Sequence, residues 1–496
     1  MSRLAMQRLP GANLVSGLPS IMPSGRRRVL GSVIRTGIAC LLLMPSLIAY
    51  SAVAAIKPTT LSEVFDAAHE MAPSVRAAEA SAAVSRARSR QALGAMLPQL
   101  SLTASANGNR RNYNTHDDVT DTMHDRYHAH SYQLSLNQPI WRPANTSTWH
   151  QAQESQAQAD YQLADAEQKL YAKLASAWFD LMQARDELEF SRSQTEALRE
   201  RWKMARRGGE LGTQGAPQAA EAEAKYREAA ADEASAELDR DSKLALLEQW
   251  TGPADGLVQP YLREDATLPD LVGKDLDAWL NQIDVHCPSL HAANKAIEAA
   301  NDEIRKQRAG HSPTLDLVAS YGTNDQAVGN FPGQAGYGIR TFTVGLQLNV
   351  PLYSGGTQSA KVAESLAERD KALADRDETR RQAILDIKTS FFEWRSGLAK
   401  AEASRATMKS TRLAWIAAAH GEQQGLKTHA DVLDARQQWM AARRNMRKGR
   451  YQQMAAYVKL RATLGELSSD DVDELDRLFV ATDSEPSLTL TAGAEQ

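Results

Sequence analysis

The sequence predicts an α+β membrane protein in which long antiparallel coiled-coil helices are combined with four β-strands in each chain. Three observations lead to this fold class. The chain contains two copies of one unit, and each copy has a pair of runs in which apolar and polar residues alternate. Each pair is followed by a long segment with apolar residues three and four positions apart. Alternation with a period of two indicates strands, and spacings of three and four indicate packed helices.

The first 55 residues have the pattern of a secretory signal peptide. The basic stretch RRRVLG (26–31) precedes the apolar run IACLLLMPSLIAYSAVAA (38–55), which ends in small residues. We expect cleavage after Ala54 or Ala55, and no lipid on Cys40 because the apolar run continues past it. Removing six arginines with this segment changes the formal net charge from −4 to −10. An acidic exported chain argues against nucleic acid as a partner.

Matching residues recur through the chain at a nearly constant separation. The matched sets are Leu61 with Leu276, Pro73 with Pro288, Gln138-Pro139-Ile140-Trp141 with Val350-Pro351-Leu352-Tyr353, and Gly208, Gly212 and Gly252 with Gly421, Gly425 and Gly465. A fixed period of this kind is typical of a repeated architecture. We therefore divide the chain into a signal peptide (1–55), a first structural repeat (56–270), a second structural repeat (271–467) and an acidic, polar C-terminal tail (468–496). The tail is expected to be a loosely packed extension.

Each repeat is predicted to begin with a short helix and two strands. In the first repeat the strands are SLTASAN (101–107) and SYQLSLN (131–137), where every second residue is apolar. The second repeat has the same alternation over 315–321 and 342–348. Strands of this kind have one apolar and one polar face. The residues between the strands of each pair are polar or glycine-rich and are predicted to be loops.

A long helical hairpin is predicted after each strand pair. Proline is absent from 144–216 and from 352–485. Some 65 helical residues with a rise of 1.5 Å each extend about 100 Å. Glycine-bearing turns near 208–217 and 421–430 then reverse the chain. Aromatic residues at heptad spacing are predicted to be core residues; these are Trp178, Phe391, Phe392 and Trp394.

Four strands are too few to close a membrane barrel, because the smallest such barrels have about eight. Open strand edges are not tolerated in lipid. If these strands span a membrane, several chains must contribute to one barrel, and three chains would supply twelve strands. Trp141 and Tyr353, which follow the strands, suit a membrane-interface belt.

The short sequence DVLDA places two carboxylates on one face of a helix, because Asp431 and Asp434 are three residues apart. Like charges at this spacing repel each other. Three uses remain open for such a pair: a catalytic acid and base, a metal clamp, or a charged ring that lines a pore.

No enzyme motif is present: the chain lacks Gly-x-Ser-x-Gly, His-Glu-x-x-His and the nucleotide-binding P-loop. The loop 114–130 contains His124 and His128, four residues apart, but a solvated polar loop is the favoured interpretation. We therefore predict no catalytic residue, no metal and no cofactor. The main alternative to a pore is a periplasmic coiled-coil tether or adaptor, and the alternating strands argue against it because a tether does not need them.

The chain resembles the TolC family of bacterial outer-membrane export ducts over about residues 60–467. The resemblance rests on the duplication, on the sequences at the two strand-to-helix junctions, and on Gly425 followed by DVLDA at the second hairpin tip. It implies a homotrimer with a twelve-stranded barrel in the outer membrane and a helical tunnel, or α-barrel, in the periplasm. It also implies a periplasmic adaptor and an inner-membrane pump as partners. The exported substrates of the family are proteins, toxic small molecules or both.

The resemblance also assigns roles at the hairpin tips. Asp431 and Asp434 match the two aspartates that line the periplasmic entrance of the family, so three chains would form an acidic ring that favours cations. The family closes this entrance with a Tyr and an Arg that reach an Asp on the first tip. Those positions hold Glu422, Lys427 and Gln218 here, and Lys with Gln lacks the bidentate geometry of Arg on a carboxylate. The glycines at the two tips are expected to belong to the adaptor-docking surface; they are Gly208, Gly212, Gly421 and Gly425.

Overall fold

The structure is a computed structural model that describes residues 60–113, 123–211, 215–252, 260–264, 275–327 and 335–480. The predicted signal peptide, residues 114–122 of the predicted loop 114–130, and Gly212 lie outside these residues. For 123–130 the prediction of a loop is wrong, because these residues belong to the longer strand β2. The helices and strands are, in chain order, α1 (Leu61–Met71), α2 (Pro73–Gly94), β1 (Gln99–Tyr113), β2 (Met123–Trp141), α3 (Pro143–Glu210), α4 (Ala216–Thr251), β3 (Tyr261–Leu262), α5 (Leu276–Asn281), α6 (Ile283–His286), α7 (Pro288–Ala309), β4 (Thr314–Gln326), β5 (Tyr337–Asn349), α8 (Thr357–Gln423), α9 (His429–Thr463), α10 (Ser469–Asp476) and β6 (Phe479–Val480).

The strands form one antiparallel sheet in the order β1-β2-β4-β5, and β3 pairs separately with β6. Strands β2 and β4 join the two repeats, with Leu134 opposite Tyr321. Their register shifts between Pro139 and Trp141, where the chain leaves the sheet for α3. At this junction the Arg142 guanidinium donates two hydrogen bonds to the Asp316 carboxylate, at 2.8 and 2.5 Å. The bidentate pair fastens the start of α3 to β4.

The two repeats also pack in the same way within themselves. Helix α2 lies along α3 as α7 lies along α8, and α4 lies along α3 as α9 lies along α8. Proline at the first position starts α2, α3 and α7, where its missing N–H costs no helical hydrogen bond. Between the repeats, α3 contacts both α7 and α9. Among the described residues, no helix is long and apolar enough to cross a membrane.

The core lies where the long helices meet the short ones. The largest apolar cluster includes Trp178, Leu181 and Met182 of α3, with Tyr457 of α9 and Leu475 of α10. A second cluster packs α5 and α6 on α8. The prediction of core aromatics is confirmed for Trp178, Phe391 and Trp394, which are at most 8% exposed.

For Phe392 the prediction of a core position is wrong, because 55% of the residue is exposed. Successive residues of a helix point about 100° apart. Phe391 therefore faces the second cluster, while Phe392 points away from it. The heptad spacing of aromatic residues had predicted both Phe391 and Phe392 to face the core.

The C-terminal segment was predicted to be polar and acidic, with loose packing, and the loose packing is wrong for residues 468–480. Val472 and Leu475 of α10 are buried in the largest cluster. The Asp476 carboxylate accepts hydrogen bonds from the backbone N–H groups of Leu61 and Ser62, at 2.8 and 2.9 Å. It thereby satisfies the free donors at the start of α1. The boundaries of the two repeats and the tail stay a prediction.

Candidate functional site at the hairpin tips

The second hairpin reverses its direction through a glycine turn after α8. The Leu426 N–H donates to the Gly421 carbonyl at 2.7 Å, and the Gly425 N–H donates to the Glu422 carbonyl at 2.9 Å. Gly425 has φ +73°, a left-handed conformation that side chains with a Cβ rarely adopt. This pair of bonds ends α8 and requires glycine at 425.

Asp431 caps the N-terminus of α9. Its backbone N–H donates to the Thr428 hydroxyl at 3.2 Å, and its carboxylate accepts from the Thr428 N–H at 2.9 Å and from the Thr428 hydroxyl at 2.8 Å. The backbone hydrogen bond, then the hydroxyl, lowers the pKa of Asp431 below its ordinary value. The side chain is exposed, so it is an ionised group at the edge of the turn.

Asp434 is held differently, by an ion pair with the other hairpin. Its carboxylate contacts the guanidinium of Arg201 on α3. Arg201 also donates to the Ala430 carbonyl at 3.3 Å, so one arginine binds the start of α9 at two points. The Asp434 side chain remains 52% exposed. Sequence reasoning treated Asp431 and Asp434 as equivalent, but of the two only Asp434 forms an ion pair with an arginine among the described residues.

The predicted closing residues do not bind one another within the described chain. Glu422 Oε1 lies 2.7 Å from Nδ1 of His429, across the turn. The Lys427 side chain lies against Gly421, where an added Cβ would meet its Cγ at 2.8 Å. Gln218 lies back over Gly215 at the start of α4. No hydrogen bond joins Lys427 to Gln218 in the part of the chain that the structure describes.

The four predicted docking glycines occupy different positions. Gly208 lies in the last turn of α3 and Gly421 in the last turn of α8, while Gly425 forms the turn itself. Gly212 lies outside the described residues. Helix α3 ends at Glu210 and α4 begins at Ala216, and both positions lie within the range 208–217 in which the first turn was expected.

A seam of ion pairs between α3 and α9 was not predicted. Its centre is Asp186, which is 4% exposed and accepts hydrogen bonds from Arg185 (2.7 Å), Arg447 (3.2 Å) and the Tyr451 hydroxyl (2.9 Å). Burial, with the nearby Asp186 carboxylate, raises the pKa of Tyr451 well above its ordinary value. These three donors satisfy the hydrogen-bonding capacity of a carboxylate that is buried between the two helices.

The seam continues from this centre toward the hairpin tips. The further pairs are Arg444 with Glu187 at 2.8 Å, Arg443 with Glu189 at 2.9 Å, Arg436 with Glu196 at 3.9 Å, and Arg201 with Asp434. The sequence did contain a signal for it, since α9 carries arginines at helical spacing and α3 carries acids. That signal does not say which helix of the chain faces which.

An open groove with a volume of about 1590 Å³ lies between α3 and α8, bordered by α7 and α9. Its lining contains alanines, uncharged polar residues and charged residues of both signs, among them Asp165, Lys169, Asp386 and Lys400. Within the described residues, no group of three or more His, Cys, Asp or Glu side chains could hold a metal ion.

Comparison with known proteins gives a consistent result. A sequence model of the family described as "Outer membrane efflux protein" matches residues 64–253 and 279–466. The chain is 29% identical over 393 residues to the proteases secretion protein PrtF of Dickeya chrysanthemi, covering 77% of this chain and 83% of that protein. It is 25% identical over 424 residues to the outer membrane protein TolC of Vibrio cholerae, covering 85% and 94%.

The fold is also found among solved structures. The crystal structure of the CmeC outer membrane channel of Campylobacter jejuni superposes with a TM-score of 0.67 at 17% identity, covering 84% of this chain and 89% of that chain. At this identity the superposition establishes the fold. The two matched segments of the family correspond to the two halves of the duplication.

Proposed function

Because the chain belongs to the outer membrane efflux protein family, it is an outer-membrane export channel, and we propose that it is the passive duct of a tripartite export system. The observation that carries this proposal is the four-stranded sheet, whose outer strands β1 and β5 have no partner beyond the sheet within the described residues. On β5 the residues Phe342, Val344, Leu346 and Leu348 are between 55% and 71% exposed. Such a strand has one apolar face that suits lipid.

The unpaired edges support a homotrimer. Strand β5 of one copy would pair with β1 of the next, and three copies would close twelve strands into a barrel in the outer membrane. A head-to-tail contact of this kind closes into a ring. The helices of the three copies would form an α-barrel that extends into the periplasm.

The entrance at the second hairpin tip is proposed to be an acidic gate. Asp431 supplies an exposed ionised carboxylate, and Asp434 supplies a second one that Arg201 neutralises in part. The gate is therefore less acidic than two free carboxylates per chain would make it. The Arg201–Asp434 pair also links the two hairpins. It takes the place of the family's closing contact, because no hydrogen bond joins the side chains of Lys427 and Gln218 in the described chain.

The partners are proposed to be a periplasmic adaptor and an inner-membrane pump, with the tips that carry Gly421 and Gly425 as the docking surface. The names of the relatives include secretion of proteases and efflux. The exported substrates are accordingly proposed to be proteins, small toxic molecules or both. No catalytic step is involved in passive conduction.

Cell fractionation and mass measurement in detergent test the proposal. The duct is expected in the outer-membrane fraction with the mass of three chains, and it should form channels in a planar lipid bilayer. A soluble or inner-membrane protein without channel activity would instead support the alternative of a tether or adaptor. A stable monomer inserted in the outer membrane would contradict the shared barrel.

A further inference from the structure

The two repeats are related by a constant offset in the helical hairpins. Trp202 stacks on Tyr226 in the first hairpin, with ring centroids 5.3 Å apart and planes 5° apart. In the second hairpin Trp415 stacks on Trp439, with centroids 4.8 Å and planes 7° apart. Trp415 follows Trp202 by the same number of positions as Trp439 follows Tyr226. This single offset therefore converts positions of α3 into positions of α8, and positions of α4 into positions of α9.

The same offset maps the contact between α3 and α9 onto the helices α8 and α4. Among the described residues, these two helices make no comparable contact inside the chain. Helix α3 packs against α9, which belongs to the other repeat. The equivalent partner for α8 would be α4, but in this chain α4 packs on α3, and α8 packs on α9 and α7. A second copy of the chain can supply that α4.

Two exposed apolar residues mark this surface. In the contact inside the chain, Phe179 of α3 stacks on Tyr451 of α9 with centroids 6.3 Å apart, and both are 2% exposed. Their equivalents at the same offset are Phe392 on α8 and Leu238 on α4. These are 55% and 70% exposed. Large apolar side chains that are buried in one repeat and exposed in the other indicate an interface that is completed by another molecule.

We propose that Phe392 of one copy packs on Leu238 of the next copy, and that this contact between α8 and α4 is the helical interface of the homotrimer. The inference rests on the proposed trimeric duct, and it names the residues that join its chains. Phe392 lies at the rim of the groove between α3 and α8, so the neighbouring α4 would border that groove.

The charges along the two helices fit this assignment. Inside the chain, Glu196 of α3 pairs with Arg436 of α9 at 3.9 Å. The equivalent positions hold Lys409 on α8 and Glu223 on α4, so the signs are exchanged and the attraction is kept. Glu223 already accepts from Arg227 of its own helix at 2.5 Å, and Lys409 of the next copy would be its second cation. Opposite charges at matched positions favour this register over a shifted one.

Cross-linking between cysteines tests the contact. The only cysteine among the described residues is Cys287, which is buried, so introduced cysteines can be labelled selectively. We expect the variant Leu238→Cys/Phe392→Cys to form covalent dimers and trimers with a short bis-maleimide in the outer membrane. Co-expression of the two single variants should give the dimer as well, which shows that the link joins different chains.

The matched control is Leu238→Cys/Leu413→Cys. Leu413 is a 60% exposed residue of α8, but it lies about 30 Å along the helix from Phe392, so no cross-link is expected. A second arm replaces Lys409 by Glu, which should lower the temperature at which the trimer dissociates in detergent. Adding Glu223→Lys should restore it toward the wild-type value.

The outcomes separate this proposal from the proposed function. A protein with the mass of a trimer that gives no link between positions 238 and 392, or the same link in the control, overturns the contact and leaves the trimeric duct standing. A monomer by mass overturns both. Failure of Glu223→Lys to restore the Lys409→Glu variant also contradicts the assigned register.

Discussion

Replacing Arg201 by Gln should make the entrance more acidic without removing a carboxylate. In the structure Arg201 pairs with Asp434 and with the Ala430 carbonyl, while Asp431 is held by Thr428. Gln keeps a donor for the carbonyl but carries no charge. Each chain of the proposed trimer would then present Asp434 as a free carboxylate in addition to Asp431.

The size of the effect follows from Coulomb's law. A carboxylate about 8 Å from a monovalent cation in water contributes about 0.5 kcal/mol. Screening at physiological salt reduces this to about 0.2 kcal/mol. Three freed carboxylates acting on a trivalent cation therefore contribute roughly 1.5 to 2 kcal/mol, which lowers the half-blocking concentration on the order of tenfold.

Planar-bilayer recording with a trivalent cation added on the periplasmic side measures this concentration. The double variant Arg201→Gln/Asp434→Asn should return close to wild type, because the added charge is then absent. The matched control is Arg192→Gln, which removes an arginine of α3 that faces Glu233 and Glu237 of α4 and not the second hairpin. Unchanged block in Arg201→Gln, or an equal shift in Arg192→Gln, would refute the reasoning.

Three further outcomes are expected. Gly425→Val should assemble as a trimer but lose export, because φ +73° is strained for a β-branched residue. Gly209→Ala should export normally, because a Cβ added at this helical position meets no atom within 4 Å; normal export by Gly425→Val would count against adaptor docking at this turn. Tyr451→Phe removes a buried 2.9 Å hydrogen bond to Asp186. Thermal unfolding should therefore show a free energy of unfolding that is lower by about 1–2 kcal/mol, and an unchanged Tm would contradict that. Asp431 has a lowered pKa, so its charge and its cap are complete above the ordinary value of 3.8 and are lost as the pH falls through the lower folded pKa. The difference in reversal potential between wild type and Asp431→Asn should therefore stay constant from neutral pH down to about pH 5, and a difference that shrinks at pH 5 would contradict this.

Much of the fold could be predicted from local patterns. The alternating runs at 101–107 and 131–137 lie within β1 and β2. The proline-free segment 144–216 lies largely within α3, and the segment 352–485 contains both α8 and α9. These features depend on residues close together in the chain, because side-chain periodicity follows directly from backbone geometry. The resemblance then identified the family, which the two matched segments confirm.

The candidate site was predictable only in part. Asp431 and Asp434 do lie at the start of α9 after a glycine turn, as the motif indicated. Their different surroundings were not predictable, because Arg201 and Asp434 are far apart in the sequence and belong to different repeats. The absence of a bond between Lys427 and Gln218 in the described chain likewise depends on how the two hairpins are placed.

The sequence by itself determined the duplication, the alternation of strands and hairpins, and the glycine turn at Gly425. Only the tertiary structure decided that Asp186 is the buried centre of a seam between α3 and α9, that Phe392 is exposed while Phe391 is buried, and that α10 packs against α1. Periodicity defines which residues share a face of a helix. It does not define which other helix covers that face, because this choice depends on the packing of all the long helices together.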